Sequence, residues 1–205
     1  MGSYAVCPSN CRRIMAFRVV GPQVVGCRVV APGVRDAAAR GVVGVACRGM
    51  IFEETMALLA AMEREGVRYV LVGSMAMAAN GVVRATRDVD FVVASDEDNV
   101  ERLRVALRSV FDDPSIDEID AGELSGAYPV VQYFPPGERY SIDIIARLGE
   151  AHAFDDIEWH WMDVEGLRIK VATPRMLYAM KRDTVREQDR LDARKLRERF
   201  GDEVD

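Results

Sequence analysis

The chain has 205 residues, of which 49% are hydrophobic and 29% charged, enough to close a sizeable core and too apolar for a chain disordered throughout. Its formal charge of −6 is unevenly shared: residues 1–49 hold seven arginines against one acid, Asp36, which leaves −12 on the remainder. That acidity speaks against a broad, non-specific grip on nucleic acid, and no run approaches the roughly 18 apolar residues of a membrane span, so no membrane role is expected.

All four cysteines, Cys7, Cys11, Cys27 and Cys47, lie in the basic first segment, without a CxxC pair or a nearby histidine, so the spacing does not read as a zinc site. The acidic body has no cysteine and uses no disulfide, which fits a cytoplasmic location. Residues 1–49 lack a sustained period of 2 or 3.6. They are expected to be poorly ordered, as an extension upstream of a start at Met50 or Met56, and the Arg-rich, acid-poor composition also suits a transit peptide. The expected division is this extension, a core over 50–172, and a C-terminal helical extension over 173–205 packed on the core.

Residues 51–65 space Phe52, Met56, Leu59 and Met62 as a helix, closed by Gly66. Residues 68–73 (RYVLVG) read as a buried strand that runs directly into a short helix over 74–80. Residues 88–94 (DVDFVVA) form a second strand. Ser95 caps a helix over 96–111 with an apolar stripe of Val100, Leu103, Leu107 and Val110. Residues 128–134 and 139–146 are two strands joined through Pro135-Pro136-Gly137-Glu138 as an antiparallel hairpin. A second hairpin joins 159–164 to 167–171 through Glu165-Gly166. Thr173-Pro174 starts a helix carrying Met176, Leu177 and Met180. A charged helix over 187–200 turns Leu191 and Leu196 inward and ends at Gly201. The alternating charges of residues 182–199 read as a solvated helix face. The order of elements gives an α/β or α+β domain with a small mixed sheet flanked by helices, plus C-terminal helices.

Three features carry chemistry. Gly73-Ser74 stands where a strand meets a helix N-terminus, so a glycine that admits close approach, free amides and a hydroxyl could together meet an anion such as a triphosphate. Asp88-Val89-Asp90 opens a strand, and residues i and i+2 project from one face, so two carboxylates stand side by side. Such a pair calls for a hard divalent cation, and Mg²⁺ is the usual partner where phosphates bind. Asp143 is a lone acid inside the apolar run Ile142 to Ile145, and a neighbouring strand could bring it to the same ion.

The order apolar-Gly-Ser, thirteen residues (75–87), Asp-x-Asp, then a third strand aspartate resembles the signature of the polymerase-β-like nucleotidyltransferases. The local text VLVGSMAMAANG followed by Arg84-Ala85-Thr86-Arg87-Asp88-Val89-Asp90 is similar to AbiEii-type toxins and related small bacterial nucleotidyltransferases. A looser likeness continues through Thr173-Pro174, Lys181-Arg182 and Asp189-x-x-Asp192, so the resemblance spans about residues 50–200. It implies the nucleotidyltransferase fold and two Mg²⁺ ions held by Asp88, Asp90 and Asp143. It also implies transfer of a nucleoside monophosphate from an NTP to a hydroxyl, with pyrophosphate released and Asp143 helping to deprotonate the acceptor. Gly73 and Ser74 would hold the triphosphate, and Arg84, Arg87 and Lys181 are candidates to neutralise it. The acceptor could be RNA such as a tRNA end, a protein or a small molecule. A local basic groove from Arg84, Arg87, Lys170, Arg175, Lys181 and Arg182 could take an RNA end. A cognate antitoxin protein is the expected partner if the chain is the toxin of a toxin–antitoxin pair. The alternative is a non-catalytic module that binds a nucleotide or a partner on the same fold. These readings part on whether Asp88, Asp90 and Asp143 converge. His152 and His160, among acids and tryptophans, read as structural rather than metal-binding.

Overall fold

The computed structural model describes the backbone of residues 14–20, 23–30, 47–126, 128–148 and 152–204, with side chains from residue 52 onward within those spans. Two strands, Ile14–Val20 (β1) and Gln23–Val30 (β2), pair antiparallel in the segment where the sequence shows no sustained period. Both runs are rich in β-branched valine, and β1 pairs with a body strand, a long-range contact that local patterning does not encode. The four cysteine side chains lie outside the described ones.

Helix α1 (Cys47–Arg64) starts four residues before the predicted point and ends where Gly66 turns to φ +65°. Then follow β3 (Tyr69–Val72), α2 (Gly73–Ala79), β4 (Asp88–Val93) and α3 (Glu97–Arg108). Asp96, not Ser95, caps α3: its carboxylate accepts from the Asn99 amide at 3.3 Å, while the Ser95 hydroxyl meets Ser125 Oγ at 3.1 Å. The stripe on α3 is as expected, with Val100, Leu103 and Leu107 buried. The acidic stretch after Pro114 is a 3₁₀ turn over Pro114–Glu118 and a short helix α4 (Ala121–Ser125).

Both predicted hairpins form. β5 (Val130–Tyr133) pairs antiparallel with β6 (Ser141–Ile145). After the small pair β7 (Arg147–Leu148) and β8 (His152–Ala153), β9 (Trp159–Val164) pairs antiparallel with β10 (Leu167–Ala172). Glu165 and Gly166 both adopt positive φ, 52° and 80°, as a two-residue hairpin turn requires. The Thr173 hydroxyl accepts from the Met176 amide at 3.1 Å and opens α5 (Pro174–Arg182), and α6 (Glu187–Phe200) ends at Gly201 with φ +57°.

The strands form one mixed sheet in the order β2-β1-β5-β6-β4-β3-β10-β9, so the six body strands are extended at one side by the N-terminal pair. Helix α1 packs on α3, α5 on α6, and α2 lies against β3, β4 and α5. The core includes Tyr69, Phe91, Leu103, Leu107, Ile116 and Tyr133, all essentially inaccessible. Among the described residues no helix is long and apolar enough to cross a membrane.

Candidate active site

The sheet order decides the site. Strand β4 lies between β3 and β6: it runs antiparallel to β3, pairing Val72 with Asp90, and parallel to β6, pairing Asp88 with Ser141 and Asp90 with Asp143. Paired residues in neighbouring strands point to the same face, about 4.8 Å apart along the ladder. Asp88 and Asp90 therefore share a face, as predicted, and Asp143 joins them from the next strand. An antiparallel pairing then adds Gln132 of β5, opposite Asp143.

A hydrogen-bond chain orders these side chains. Gln132 Nε2 donates to Asp143 Oδ1 at 2.9 Å and lies 3.1 Å from Ser141 Oγ, and the Ser141 hydroxyl donates to Asp88 Oδ1 at 3.1 Å. Asp88 is also fixed from below, where its amide donates to Thr86 Oγ1 at 3.2 Å. Among the described residues no group of three carboxylate, histidine or cysteine side chains gathers its atoms closely enough to hold an ion unaided. His152 and His160 form no such group either.

Gly73 is where the sequence reading and the structure differ in emphasis. Its φ is +62°, and a Cβ placed on it would lie 1.9 Å from Asp90 Oδ2 and 2.6 Å from Asp90 Cγ. The close approach that requires glycine is therefore made by the Asp90 carboxylate itself. Ser74 follows, 1% exposed, with a hydroxyl that has no hydrogen-bond partner among the described residues. Helix α2 begins here without a side-chain cap.

Electrostatics record the crowding. Burial, then the charge of Asp88, raises the Asp90 carboxyl above the usual range, against the pull of Lys181, Arg84 and Arg186. Burial, then the charge of Asp90, pushes Asp143 up to about 7, although the Gln132 hydrogen bond opposes it. Hard oxygen donors with unbalanced like charges on one face are a donor set suited to a divalent cation beside phosphates.

The predicted phosphate-binding cations fall into two groups. Lys181, 8% exposed on α5, donates to Asp189 Oδ1 at 2.9 Å and lies 3.1 Å from Asp192 Oδ2. Arg84 Nε donates to the same Asp192 oxygen at 3.0 Å, and Gln188 donates to its other oxygen at 2.9 Å. Both cations are thus held by acids of α6. Burial works to raise the Asp192 carboxyl, but the hydrogen bonds from Gln188 and Lys181 outweigh it and hold the group below its ordinary value. Arg87, in contrast, is exposed beside Asp88. The acids of α6 do not form the solvated face expected from the sequence: Asp189, Asp192, Ala193 and Leu196 point inward, and Leu191, predicted to be inside, is 38% exposed. Residues 189, 192, 193 and 196 define one helical stripe, and binding Lys181 and Arg84 rotates that stripe towards α5.

Two contributors escaped the sequence reading. Gln132 carried a signal: a hairpin turn centred on Gly137 and Glu138 sets it opposite Asp143. Ser141 lies two residues before Asp143 on the same strand, so the face of Asp143 is also the face of Ser141.

Similarity to known proteins bears on the fold and the family. No curated protein matches the chain in sequence. The solution structure of the antibiotic-resistance factor ANT(2'')-Ia superposes with a TM-score of 0.51 at 14% identity, over 76% of this chain and 87% of that one, which shows a common fold. The lincosamide antibiotic adenylyltransferase LnuA, with lincomycin bound, gives a TM-score of 0.49 at 14% identity over 71% and 95% of the two chains. An antigenic nucleotidyltransferase-like protein from Paracoccidioides brasiliensis gives 0.42 at 14% identity over 70% and 74%. Residues 57–199 match the family described as nucleotidyl transferase AbiEii toxin of a type IV toxin–antitoxin system, a span that contains every site residue named above. The chain therefore belongs to the AbiEii nucleotidyl transferase toxin family and is a nucleotidyltransferase.

Proposed function

We propose that the protein transfers a nucleoside monophosphate from an NTP to a hydroxyl acceptor, with Mg²⁺ held by Asp88, Asp90 and Asp143. The observation that carries this reading is the parallel register that sets Asp143 beside Asp90 on the face of Asp88. The ion, when bound, would polarise the phosphoryl oxygens and offset charge on the attacking and leaving oxygens. The acceptor oxygen forms a bond to the α-phosphorus, the bond to the pyrophosphate oxygen breaks, and the acceptor proton passes to a carboxylate. Asp143, on the strand next to Asp90, would take that proton. Gly73 lets Asp90 seat against the backbone at the start of α2, and the buried Ser74 hydroxyl, without a partner among the described residues, would turn to the triphosphate. Arg84 and Lys181, held by Asp192 and Asp189, set a positive potential next to Asp90, and exposed Arg87 is left to meet phosphate oxygens.

Membership of a toxin family supports a toxin role with a cognate antitoxin as partner. The test is transfer of label from each α-phosphate-labelled NTP, with Mg²⁺, onto RNA, protein and small-molecule fractions, comparing the parent with Asp88→Asn/Asp90→Asn. Label that depends on both aspartates establishes the reaction, and the labelled fraction gives the acceptor class. A folded parent that binds NTP and labels nothing would favour a non-catalytic binding module.

A further inference from the structure

The mixed sheet ends at β9, and among the described residues nothing pairs with its outer side. The β9–β10 hairpin is closed by the two-residue turn Glu165-Gly166, so Val164 and Leu167 form a hydrogen-bonded pair, as do Met162 with Ile169 and His160 with Val171. The carbonyl of Glu158 continues that series and accepts from the Thr173 amide at 3.0 Å. The alternate residues, Trp159, Trp161 and Asp163, therefore turn their N–H and C=O groups outward along a free edge. Folded chains usually guard such an edge with lysine, proline or a bulge. Strand β9 has none of these: its register with β10 is unbroken over six residues, and Asp163 is its one charged residue.

The side chains add to the exposure. Trp159 and Trp161 are each 41% exposed and meet edge to face, with ring centroids 5.4 Å apart. On β10 the Arg168 guanidinium lies 4.7 Å from the Trp161 ring centroid. Lys170, expected to serve a basic groove, lies instead 5.0 Å from the same ring and 3.5 Å from Glu63. Asp163 accepts from the Gly166 amide at 3.0 Å through one of its two oxygens.

We infer that a second copy of this chain covers the β9 edge, the two β9 strands pairing antiparallel about a two-fold axis at Trp161. Backbone pairing favours this occupant. With Trp161 opposite itself, Trp159 stands opposite Asp163 of the other copy, so every outward N–H and C=O of the three residues meets its complement. Charge favours it as well. In this register the one acid of β9 faces no acid, and it lies diagonal to Trp161 of the other copy, the ring that carries Arg168 and Lys170. A foreign acidic strand would meet Asp163, and a foreign basic one would meet Arg168; the strip carries both signs in the order that its own two-fold image matches. Four tryptophans then gather at the axis, a residue type enriched at interface centres. One strand edge covers less than the roughly 1,200 Å² of a standard interface, so the dimer is a reversible one, with a dissociation constant in the micromolar range. The inference is independent of the reaction proposed above.

The experiment follows the full chain by sedimentation velocity from about 1 to about 200 μM. The parent is compared with Trp161→Lys and with a control, Val105→Lys, which puts the same charge at an exposed apolar residue of α3. The parent should pass from monomer to dimer and no further, because the two-fold consumes the edge. Trp161→Lys sets two ammonium groups face to face at the axis and should weaken dimerisation at least about tenfold, while the control matches the parent. Asp163→Arg should also weaken it, and Asp163→Arg/Arg168→Asp should restore it by returning opposite charges to the diagonal. Melting temperatures report whether each variant folds, and should Trp161→Lys not fold, the charge exchange carries the test. Amide exchange at Trp159, Trp161 and Asp163 should slow as the parent is concentrated. A parent that stays monomeric or grows beyond a dimer, a dimer that folded Trp161→Lys leaves intact, or a double exchange that restores nothing would each overturn the inference. So would a monomeric parent whose three amides slow only when an extended Thr-Val repeat peptide is added, which gives the edge to a foreign strand.

Discussion

Replacing Gly73 by alanine tests whether the backbone at the start of α2 is shaped for Asp90. Two effects add. The residue sits at φ +62°, a left-handed conformation that costs an L residue about 1–2 kcal/mol. The new methyl would also fall 1.9 Å from Asp90 Oδ2 and 2.6 Å from Cγ, so the carboxylate must leave its position. Moving Asp90 off its rotamer adds about 1 kcal/mol, and displacing a reacting group by about 1 Å can reduce a rate some hundredfold. The expected outcome is a loss of about 2–3 kcal/mol in urea unfolding, with NTP transfer reduced by about a hundredfold. The contribution of the clash is isolated by a double-mutant cycle with Asp90→Ala, since in that background the methyl meets no carboxylate. Gly73→Ala should then cost less, the backbone penalty of about 1–2 kcal/mol plus a residual contact with the Cβ at position 90, 3.0 Å away. Equal destabilisation in both backgrounds, or full transfer activity in Gly73→Ala, would refute the claim that this glycine exists to seat Asp90.

Gln132→Leu removes the donor to Asp143 while keeping similar bulk. Transfer should slow by about tenfold, equivalent to about 1.4 kcal/mol, with NTP affinity unchanged, and Gln132→Glu should be worse because it adds a fourth carboxylate. Asp143 gives stability a distinctive pH dependence. With its carboxyl raised from 3.8 to about 7, the folded protein binds more protons than the unfolded chain between these values, so stability falls as pH rises through that window. The ceiling is about 4 kcal/mol, and urea unfolding across the window should show a fall that Asp143→Asn abolishes and that added Mg²⁺ reduces at the alkaline end. Asp192→Ala removes a fully buried acceptor and strands Arg84 and much of the Lys181 pairing, for an expected loss of about 3 kcal/mol. Arg108→Ala, which breaks exposed pairs with Asp117 and Glu101, should cost less than about 1 kcal/mol by the same unfolding assay.

Local chemistry was legible in the sequence because it acts over a few residues. Thr173-Pro174 opens a helix, Gly66 and Gly201 close two, and Glu165-Gly166 turns a hairpin, each through a cap or a backbone angle that neighbours alone dictate. The shared face of Asp88 and Asp90 follows from strand alternation in the same way. What remained illegible depends on which elements meet. Only the insertion of β4 between β3 and β6 brings Asp143 to Asp90. Only the docking of α6 on α5 decides that Asp189 and Asp192 face inward while Leu191 faces out. The sequence thus determined the chemical groups and their local geometry. The tertiary structure decided their convergence, because strand order and helix rotation are set by packing between residues far apart in the chain, and a period of two or 3.6 carries no information about that partner.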